Sequence, residues 1–245
     1  MRTTLKVAVL SAVVLALAFG ASASTITLYS GNGTSSSHSN GALEYLGTSP
    51  LNAGYATSLV APTSPTTGST SGTTYDTSAD GVWVPAIAGT SWVTNTSVSG
   101  PNCSGSQCDA DAFYYYETSF SATGGSMPYS GSISVMSDDT AEVLLNGVVI
   151  VPFGGIGNDS HCSVGEPNCN AIDTISLSGI LLNAGPNTLE IVNAQTGGSG
   201  AGVDFSVNLT QSPEPSSLLL LGTGLLGLAF GLFRMNKASG SVLNS

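Results

Sequence analysis

Several carboxylates at expected strand ends form the first candidate ligand site in this sequence. Asp138 and Asp139 are adjacent, and Asp204 and Glu190 follow in later apolar segments. Adjacent strand residues point to opposite faces, so one carboxylate can bind an ion while the other caps a turn. Calcium takes about six to eight oxygen ligands. We therefore expect either a structural Ca²⁺ at Asp138 or Asp139, with Asp204 or Glu190, or turn capping alone.

Aromatic side chains form a second candidate site. Trp83, Trp92 and Tyr115, the centre of the run Tyr114–Tyr116, could offer flat rings on which the C–H face of a sugar stacks. Aromatic residues also favour strands and cores. The sequence leaves both interpretations open: a carbohydrate platform or buried packing.

Catalytic residues are harder to find. Of the two histidines, His38 lies in a Gly, Ser and Asn stretch and His161 lies beside a cysteine, and no nucleophile elbow accompanies either. Pairs of carboxylates occur in any acidic domain and identify a glycosidase only by their separation in space. We expect a protein that is not an enzyme.

The cysteines pair naturally within two short loops. Cys103 is close to Cys108, and Cys162 is close to Cys169. Four cysteines allow three connectivities, and in an oxidising compartment the two local disulfides are favoured. A zinc site built from His161, Cys162 and Cys169 is the alternative.

The distribution of charge restricts the partners. The formal net charge is -11, and the only Lys and Arg residues lie near the two ends, at Arg2, Lys6, Arg234 and Lys237. The segment 24–212 holds every carboxylate except Glu214 and repels phosphate backbones and anionic glycans. Nucleic acid is excluded as a direct partner, which leaves a divalent cation, a neutral sugar or another protein.

The N-terminus has the pattern of a cleavable signal peptide. Arg2 and Lys6 precede an uncharged apolar run, and Ala21-Ser22-Ala23 follows as a small-x-small cleavage site. The run is shorter than the ~20 residues that a membrane anchor needs. We expect a signal peptidase to remove residues 1–23.

An apolar segment near the C-terminus has the length of a transmembrane helix. Residues 216–233 carry no charge and would span ~27 Å as a helix. Arg234 and Lys237 then follow, which by the positive-inside rule places 238–245 in the cytoplasm and 24–212 outside. A buried core helix would be amphipathic instead.

Short strands separated by turn residues dominate the segment 24–212. Ser130–Met136 alternates apolar and small polar residues, and Asn146-Gly147 predicts a type I′ hairpin that joins two strands. Further strands are expected at Phe113–Phe120, Ala171–Ser178, Thr188–Asn193 and Gly202–Leu209. The fold class is therefore all-β, with a β-sandwich ectodomain.

Pro213-Glu214-Pro215, the Gly-interrupted apolar segment after it and Arg234 resemble the PEP-CTERM sorting signal, a tail also named after ice-binding proteins. In that family an exosortase processes the tail and delivers the protein to the cell surface or extracellular matrix. The resemblance implies a sorting motif at 213–237 that anchors the protein in the inner membrane until it is processed.

A second resemblance covers about 100 residues of the ectodomain. The segment Asp138–Gly147, the segment Leu182–Leu189 and the final strand at Gly202–Phe205 look like the galactose-binding-like jelly roll, in which such patterns mark neighbouring core hairpins. Some members of that group bind carbohydrate and others are structural.

The sequence therefore predicts an exported surface or matrix protein that works in adhesion or matrix organisation. Its ectodomain would bind a neutral carbohydrate such as exopolysaccharide, or a partner surface protein. The alternative is a scaffold or coat protein without a small ligand.

Overall fold

The structure is a computed structural model that describes residues 23–31, 38–40, 43–69, 72–77, 83–98, 103–105, 108–122, 128–156, 162–212 and 215–239. The side chains of 38–40, 215–220 and 235–239 are outside that description. Three parts of the sequence predictions lie outside the described residues: positions 1–22 of the signal peptide, His161, and the first two sorting residues, Pro213 and Glu214. Thr25–Thr210 forms one compact unit.

One sheet of this unit has seven strands in the described residues, and its paired strands are antiparallel. In chain order they are β1 (Thr25–Tyr29), β2 (His38–Asn40), β5 (Thr74–Thr77), β6 (Trp92–Thr94), β8 (Pro128–Asp138), β11 (Asp173–Leu181) and β13 (Gly202–Gln211). Their spatial order is β11-β8-β13-β6-β5-β2, and β1 pairs with β13.

The other sheet has six strands in the same described part of the chain and is also antiparallel. It contains β3 (Glu44–Pro50), β4 (Thr67–Gly68), β7 (Ala112–Ala122), β9 (Thr140–Leu145), β10 (Val148–Val151) and β12 (Gly185–Gln195). The spatial order is β10-β9-β12-β7-β3-β4.

The main core lies between the two sheets. On β12, Leu189 and Ile191 are buried against residues of the opposite sheet, such as Ile133 and Phe205. The alternate residues Glu190 and Val192 point away from that core, as the two-residue period of a strand requires. The predicted all-β, jelly-roll-like β-sandwich is confirmed.

Two connections between strands determine where the candidate site residues lie: the corner between β8 and β9, and the hairpin between β9 and β10. β8 ends at Asp138 and β9 begins at Thr140, so the acidic pair is a corner where the chain passes from one sheet to the other. β9 and β10 form the predicted hairpin: Asn146 has φ 52° and Gly147 has φ 76°, the two positive angles of a type I′ turn.

The predicted relation between the two jelly-roll segments is visible at this hairpin. Asn146 accepts a hydrogen bond from the backbone N–H of Thr188 (3.0 Å) and donates one to the Asn187 side chain (2.9 Å). Asn187 is buried and closes the turn before β12 by accepting from the N–H of Asn183 (2.8 Å). The two segments are neighbours in space.

A smaller apolar cluster covers the outer face of the six-stranded sheet. Phe113, Tyr115 and Val192 are buried there beneath partly buried residues of the 51–61 loop and beneath Phe153. A sheet face that bears large apolar residues needs such a cover. The loop is therefore part of the folded β-sandwich.

The C-terminal helix α1 runs over Pro215–Ser239. The Arg234 guanidinium lies over the Phe230 ring, 5.8 Å from its centroid. In the described part of the chain, no helix combines the length and the apolar character needed to cross a membrane. The transmembrane segment 216–233 stays a prediction.

Candidate functional site

The two tryptophans lie in the interior. Trp83 is 3% exposed and Trp92 is 0% exposed, and their ring centroids are 4.4 Å apart. Trp83 Nε1 donates to the Asp138 carboxylate (2.6 Å), and Trp92 Nε1 donates to the backbone oxygen of Val84 (3.0 Å). Gly202 makes room for Trp83, since a Cβ there would meet the ring at 2.5 Å. Both indoles are used for packing and internal hydrogen bonds.

Tyr115 is buried on the other side of the six-stranded sheet. Its hydroxyl donates to the backbone oxygen of Pro62 (2.9 Å) and so fixes the loop that covers this face. Burial raises the pKa of the phenol above its ordinary value. None of these three rings presents a face to solvent, so their burial favours packing, the second of the two interpretations that the sequence left open.

Asp204 is a buried carboxylate that protein donors surround. One oxygen accepts from the hydroxyls of Ser30 (2.7 Å) and Thr90 (2.6 Å), and the other accepts from the N–H of Ile87 (2.8 Å). Burial raises the pKa of Asp204, and these hydrogen bonds oppose the rise. The side chain joins β13 to the segment that follows β1 and to the turn before β6.

Asp138 and Asp139 are also buried, and each carboxylate meets a different group. Asp138 accepts from Trp83, while Asp139 accepts from the N–H (2.7 Å) and hydroxyl (2.6 Å) of Thr196. Burial, followed by the neighbouring charge of Asp139, raises the pKa of Asp138 well above its usual range. The other Asp138 oxygen, Oδ1, is buried and has no hydrogen-bond partner among the described residues.

These hydrogen bonds match the turn-capping role. Thr196 follows β12, and its contacts with Asp139 hold the end of that strand against the corner. Among the described residues, no three Asp, Glu, His or Cys side chains gather into a group that could hold a metal ion. The Ca²⁺ site at Asp138, Asp139 and Asp204 stays a prediction.

Both local disulfides are present as predicted. Cys103 pairs with Cys108 and Cys162 pairs with Cys169. The second disulfide packs in the same cluster as Trp83, Trp92 and Met136. It fixes the loop after β10 beside the indole pair, so Cys162 and Cys169 act here as a covalent link.

Sequence reasoning missed a cleft on the outer face of the six-stranded sheet. It has a volume of about 360 Å³ and opens between two loops, one at 55–59 and the other at 152–156. Glu142 of β9 also lines it. We call this space the Glu142 cleft; its lining residues are Tyr55, Ala56, Thr57, Ser58, Leu59, Glu142, Pro152, Phe153, Gly154, Gly155 and Ile156.

The first wall of the Glu142 cleft is an internally bonded loop. The Asn52 side chain donates to the backbone oxygen of Ser58 (2.8 Å) and accepts from the N–H of Val60 (2.9 Å). A turn inside the loop is closed by the N–H of Thr57, which donates to the oxygen of Gly54 (2.9 Å). These hydrogen bonds fix the backbone of the loop that carries Tyr55.

The second wall is held by the sheet. The hydroxyl of Thr140, at the start of β9, accepts from the N–H of Gly154 (2.8 Å). The Phe153 ring packs against Phe113 with centroids 5.7 Å apart. Tyr55 and Phe153 are both half-buried, so each keeps part of its ring available.

The carboxylate of Glu142 differs from the buried aspartates. It is half-buried, and no described residue forms a hydrogen bond or ion pair with it. Burial raises the pKa of Glu142 above its ordinary value. A partly desolvated acceptor beside two aromatic rings can take hydrogen bonds from the hydroxyl or amino groups of a ligand.

Further glutamates extend from this point across the same face. Glu190 of β12 is paired directly with Glu117 of β7, which is paired directly with Glu44 of β3. Glu142 of β9 is paired with Val192, the next residue of β12 on the same face as Glu190. We call Glu44, Glu117, Glu190 and Glu142 the glutamate row.

Solved structures similar to this chain include carbohydrate-binding modules, all at low similarity. A family 35 module from Clostridium thermocellum is 14% identical, with 51% of this chain and 80% of that chain covered and a TM-score of 0.28. The CBM36-1 domain of a xylanase from the hindgut metagenome of Trinervitermes trinervoides is 10% identical, with 76% and 96% covered and a TM-score of 0.28.

The Podospora anserina GH26-CBM35 β-(1,4)-mannanase is 22% identical to this chain, with a TM-score of 0.31. The match covers 58% of this chain and only 26% of the mannanase. TM-scores of this size carry no inference about activity. No curated protein matches this chain.

The C-terminal segment matches a known family model. The model of the PEP-CTERM protein-sorting motif matches residues 213–234. The match confirms the resemblance drawn from Pro213, Glu214, Pro215 and Arg234. The chain therefore carries a PEP-CTERM sorting motif, C-terminal to a β-sandwich.

Proposed function

We propose that this protein is exported, processed through its PEP-CTERM motif by an exosortase, and displayed at the cell surface, where the Glu142 cleft binds a glycan without negative charge. Adhesion or matrix organisation would follow from that binding. The observation that carries the proposal is the cleft itself, in which the half-buried Glu142 carboxylate has no donor among the described residues and lines the same space as Tyr55 and Phe153.

The composition of the cleft suits a sugar. Sugar hydroxyls donate to carboxylates, and the C–H faces of sugar rings pack on aromatic side chains. The volume of about 360 Å³ is within the range of small-ligand sites. Acidic sugars are disfavoured, because Glu142 and the rest of the glutamate row repel them and residues 24–212 contain no Lys or Arg.

The test is a binding series with the full-length protein. Neutral and acidic oligosaccharides are compared by isothermal titration with the wild type, Phe153→Ala and Tyr55→Ala. We expect binding of neutral oligosaccharides, with about a tenfold loss in each variant because one stacking ring is removed. Tyr29→Ala is the matched control, since Tyr29 is an exposed aromatic residue of the opposite sheet.

Two results would contradict this function. Equal binding by the wild type and both cleft variants would show that the sugar binds outside the Glu142 cleft. If no oligosaccharide binds and the protein instead forms ordered multimers, the scaffold or coat alternative is supported.

The export part has its own test. Cells with and without the exosortase are fractionated, and the β-sandwich is followed by antibody. We expect it to be released from the inner membrane only when the exosortase is present. An intact, reduced protein in the cytosol would contradict export.

A further inference from the structure

The carboxylates of the glutamate row are close enough to repel one another. Residues directly opposite in an antiparallel pair have Cβ atoms about 5 Å apart, and like charges there are destabilising. Glu44, Glu117 and Glu190 occupy three such positions on neighbouring strands. Glu142 continues the row one diagonal step away, at the wall of the cleft.

Nothing in the ectodomain sequence offsets this repulsion with a cationic side chain. Residues 24–212 contain no Lys or Arg. Burial, followed by the charges of Glu117 and Glu142, raises the pKa of Glu190. A ligand that brings positive charge to this face would lower the energy of the row.

The geometry favours an amine over a divalent metal as that positive group. Calcium requires about six to eight oxygens converging at about 2.3–2.6 Å. Carboxylates from adjacent strands of one sheet stand side by side along a line, which does not converge on a point. An ammonium group donates up to three hydrogen bonds and can be held by one or two carboxylates.

The Glu142 cleft supplies the rest of the site through lining residues that do not belong to the glutamate row. Phe153 and Tyr55 provide ring-sized apolar surface within the same cavity as the Glu142 carboxylate. A ligand that fills the cleft and reaches the carboxylate therefore has an apolar ring face and a polar group at its edge. A sugar that carries a free amino group has both.

We propose that the Glu142 cleft selects glycans with unacetylated amino sugars, whose ammonium group binds the Glu142 carboxylate while the sugar ring packs on Phe153 or Tyr55, and that Glu190 and Glu117 strengthen the attraction. This inference rests on the proposed glycan-binding function and assigns the ligand class of the same cleft. Extended polymers would follow the glutamate row from Glu142 towards Glu44.

Two oligosaccharides that differ only at the nitrogen test the inference. Glucosamine oligomers and N-acetylglucosamine oligomers of equal length are titrated into the full-length protein at a pH where the amine is protonated. We expect the amine form to bind at least tenfold more tightly, with a difference that shrinks as salt rises. Glu142→Gln removes the charge with little change in shape and is expected to abolish the difference.

The matched control is Glu166→Gln, which removes an exposed carboxylate outside the cleft. It is expected to retain the preference. Glu190→Gln is the second variant in the row, with an expected loss of severalfold. Thermal unfolding followed by tryptophan fluorescence verifies that each variant is folded.

The outcomes separate this inference from the proposed function. Equal affinity for both oligomers, with loss on Phe153→Ala, would overturn the amine preference and keep the glycan site. Equal loss in Glu142→Gln and Glu166→Gln would show general attraction to an acidic protein and also overturn it. If neither oligomer nor any other glycan binds, the proposed function falls as well.

Discussion

Two groups of carboxylates in the same β-sandwich differ in the hydrogen bonds that they receive. Asp204 and Asp139 are buried, and hydroxyl and N–H groups of the protein donate to them. Glu142, Glu190 and Glu117 are half-buried on the outer face of the six-stranded sheet and receive no hydrogen bond from a described residue. Both groups belong to residues 24–212, a segment whose sequence contains no Lys or Arg.

The difference separates structural acids from ligand-binding candidates. A buried charge without a counter-ion needs several neutral donors to remain in a fold. The aspartates have them at the corner after β8 and in the segments beside β13, so they hold strands and loops together. The glutamates keep acceptor capacity that a ligand can use.

The largest expected effect is at Asp204. Asp204→Ala removes three hydrogen bonds to a carboxylate and leaves the Ile87 N–H without its acceptor, while the Ser30 and Thr90 hydroxyls keep only their backbone acceptors. We expect a loss of about 3–5 kcal/mol in the free energy of unfolding. Urea unfolding, followed by the fluorescence of the two buried tryptophans, measures it. Asp173→Ala on the edge strand β11 is the control and should lower the free energy of unfolding by less than about 0.5 kcal/mol. An equal loss in both variants would show that the hydrogen-bonded Asp204 contributes no more to stability than a carboxylate at the edge of a sheet.

An intermediate effect is expected from pH at Asp138. Its pKa is raised above the ordinary value of 3.8 by burial and by Asp139. The folded state therefore binds this proton more tightly than the unfolded state does. The contribution of the protonated Asp138 to the free energy of unfolding is fully present below about pH 3.8, and it is lost as the pH rises towards the folded pKa.

Urea unfolding at a series of pH values should show a free energy of unfolding that falls as the pH rises above the ordinary pKa of 3.8. Asp138→Asn keeps an acceptor for Trp83 and removes the ionisation, so its curve should be flatter. Stability that rises with pH over this range, or identical curves for the two proteins, would contradict the buried-acid interpretation.

The smallest effect should be at Glu190 and have the opposite sign. Glu190→Gln removes repulsion with Glu117 and Glu142, and we expect a gain of about 0.2–1 kcal/mol in the free energy of unfolding. Glu44→Gln, at the exposed end of the row, should change it by less. A loss of stability in Glu190→Gln would show that its carboxylate has a structural role like that of the aspartates.

Local patterns were sufficient for the strands and for the hairpin. Ser130–Met136 lies inside β8, Thr188–Asn193 lies inside β12, and Asn146-Gly147 forms the turn between β9 and β10. These signals depend on side-chain alternation and on positive φ, which neighbouring residues determine. The sorting motif is similarly readable because it is a contiguous pattern.

The site could not be read in the same way. Glu44, Glu117 and Glu190 are far apart in sequence and come together only through the pairing of β3, β7 and β12. A tryptophan side chain suits either a hydrophobic core or an exposed sugar platform. Only the three-dimensional packing of Trp83 and Trp92 against Met136 and the disulfide shows that they belong to the core. The cover formed by the 51–61 loop has no periodic pattern at all.

The segregation of basic residues to the two ends has a consequence for durability outside the cell. Proteases of the trypsin type cut after lysine or arginine, and the stretch 7–233 offers them no cleavage point. Digestion with trypsin would release this whole span as a single fragment, and amine-reactive dyes would find no lysine on it. Trypsin-like enzymes that meet the protein outside the cell would leave this span whole.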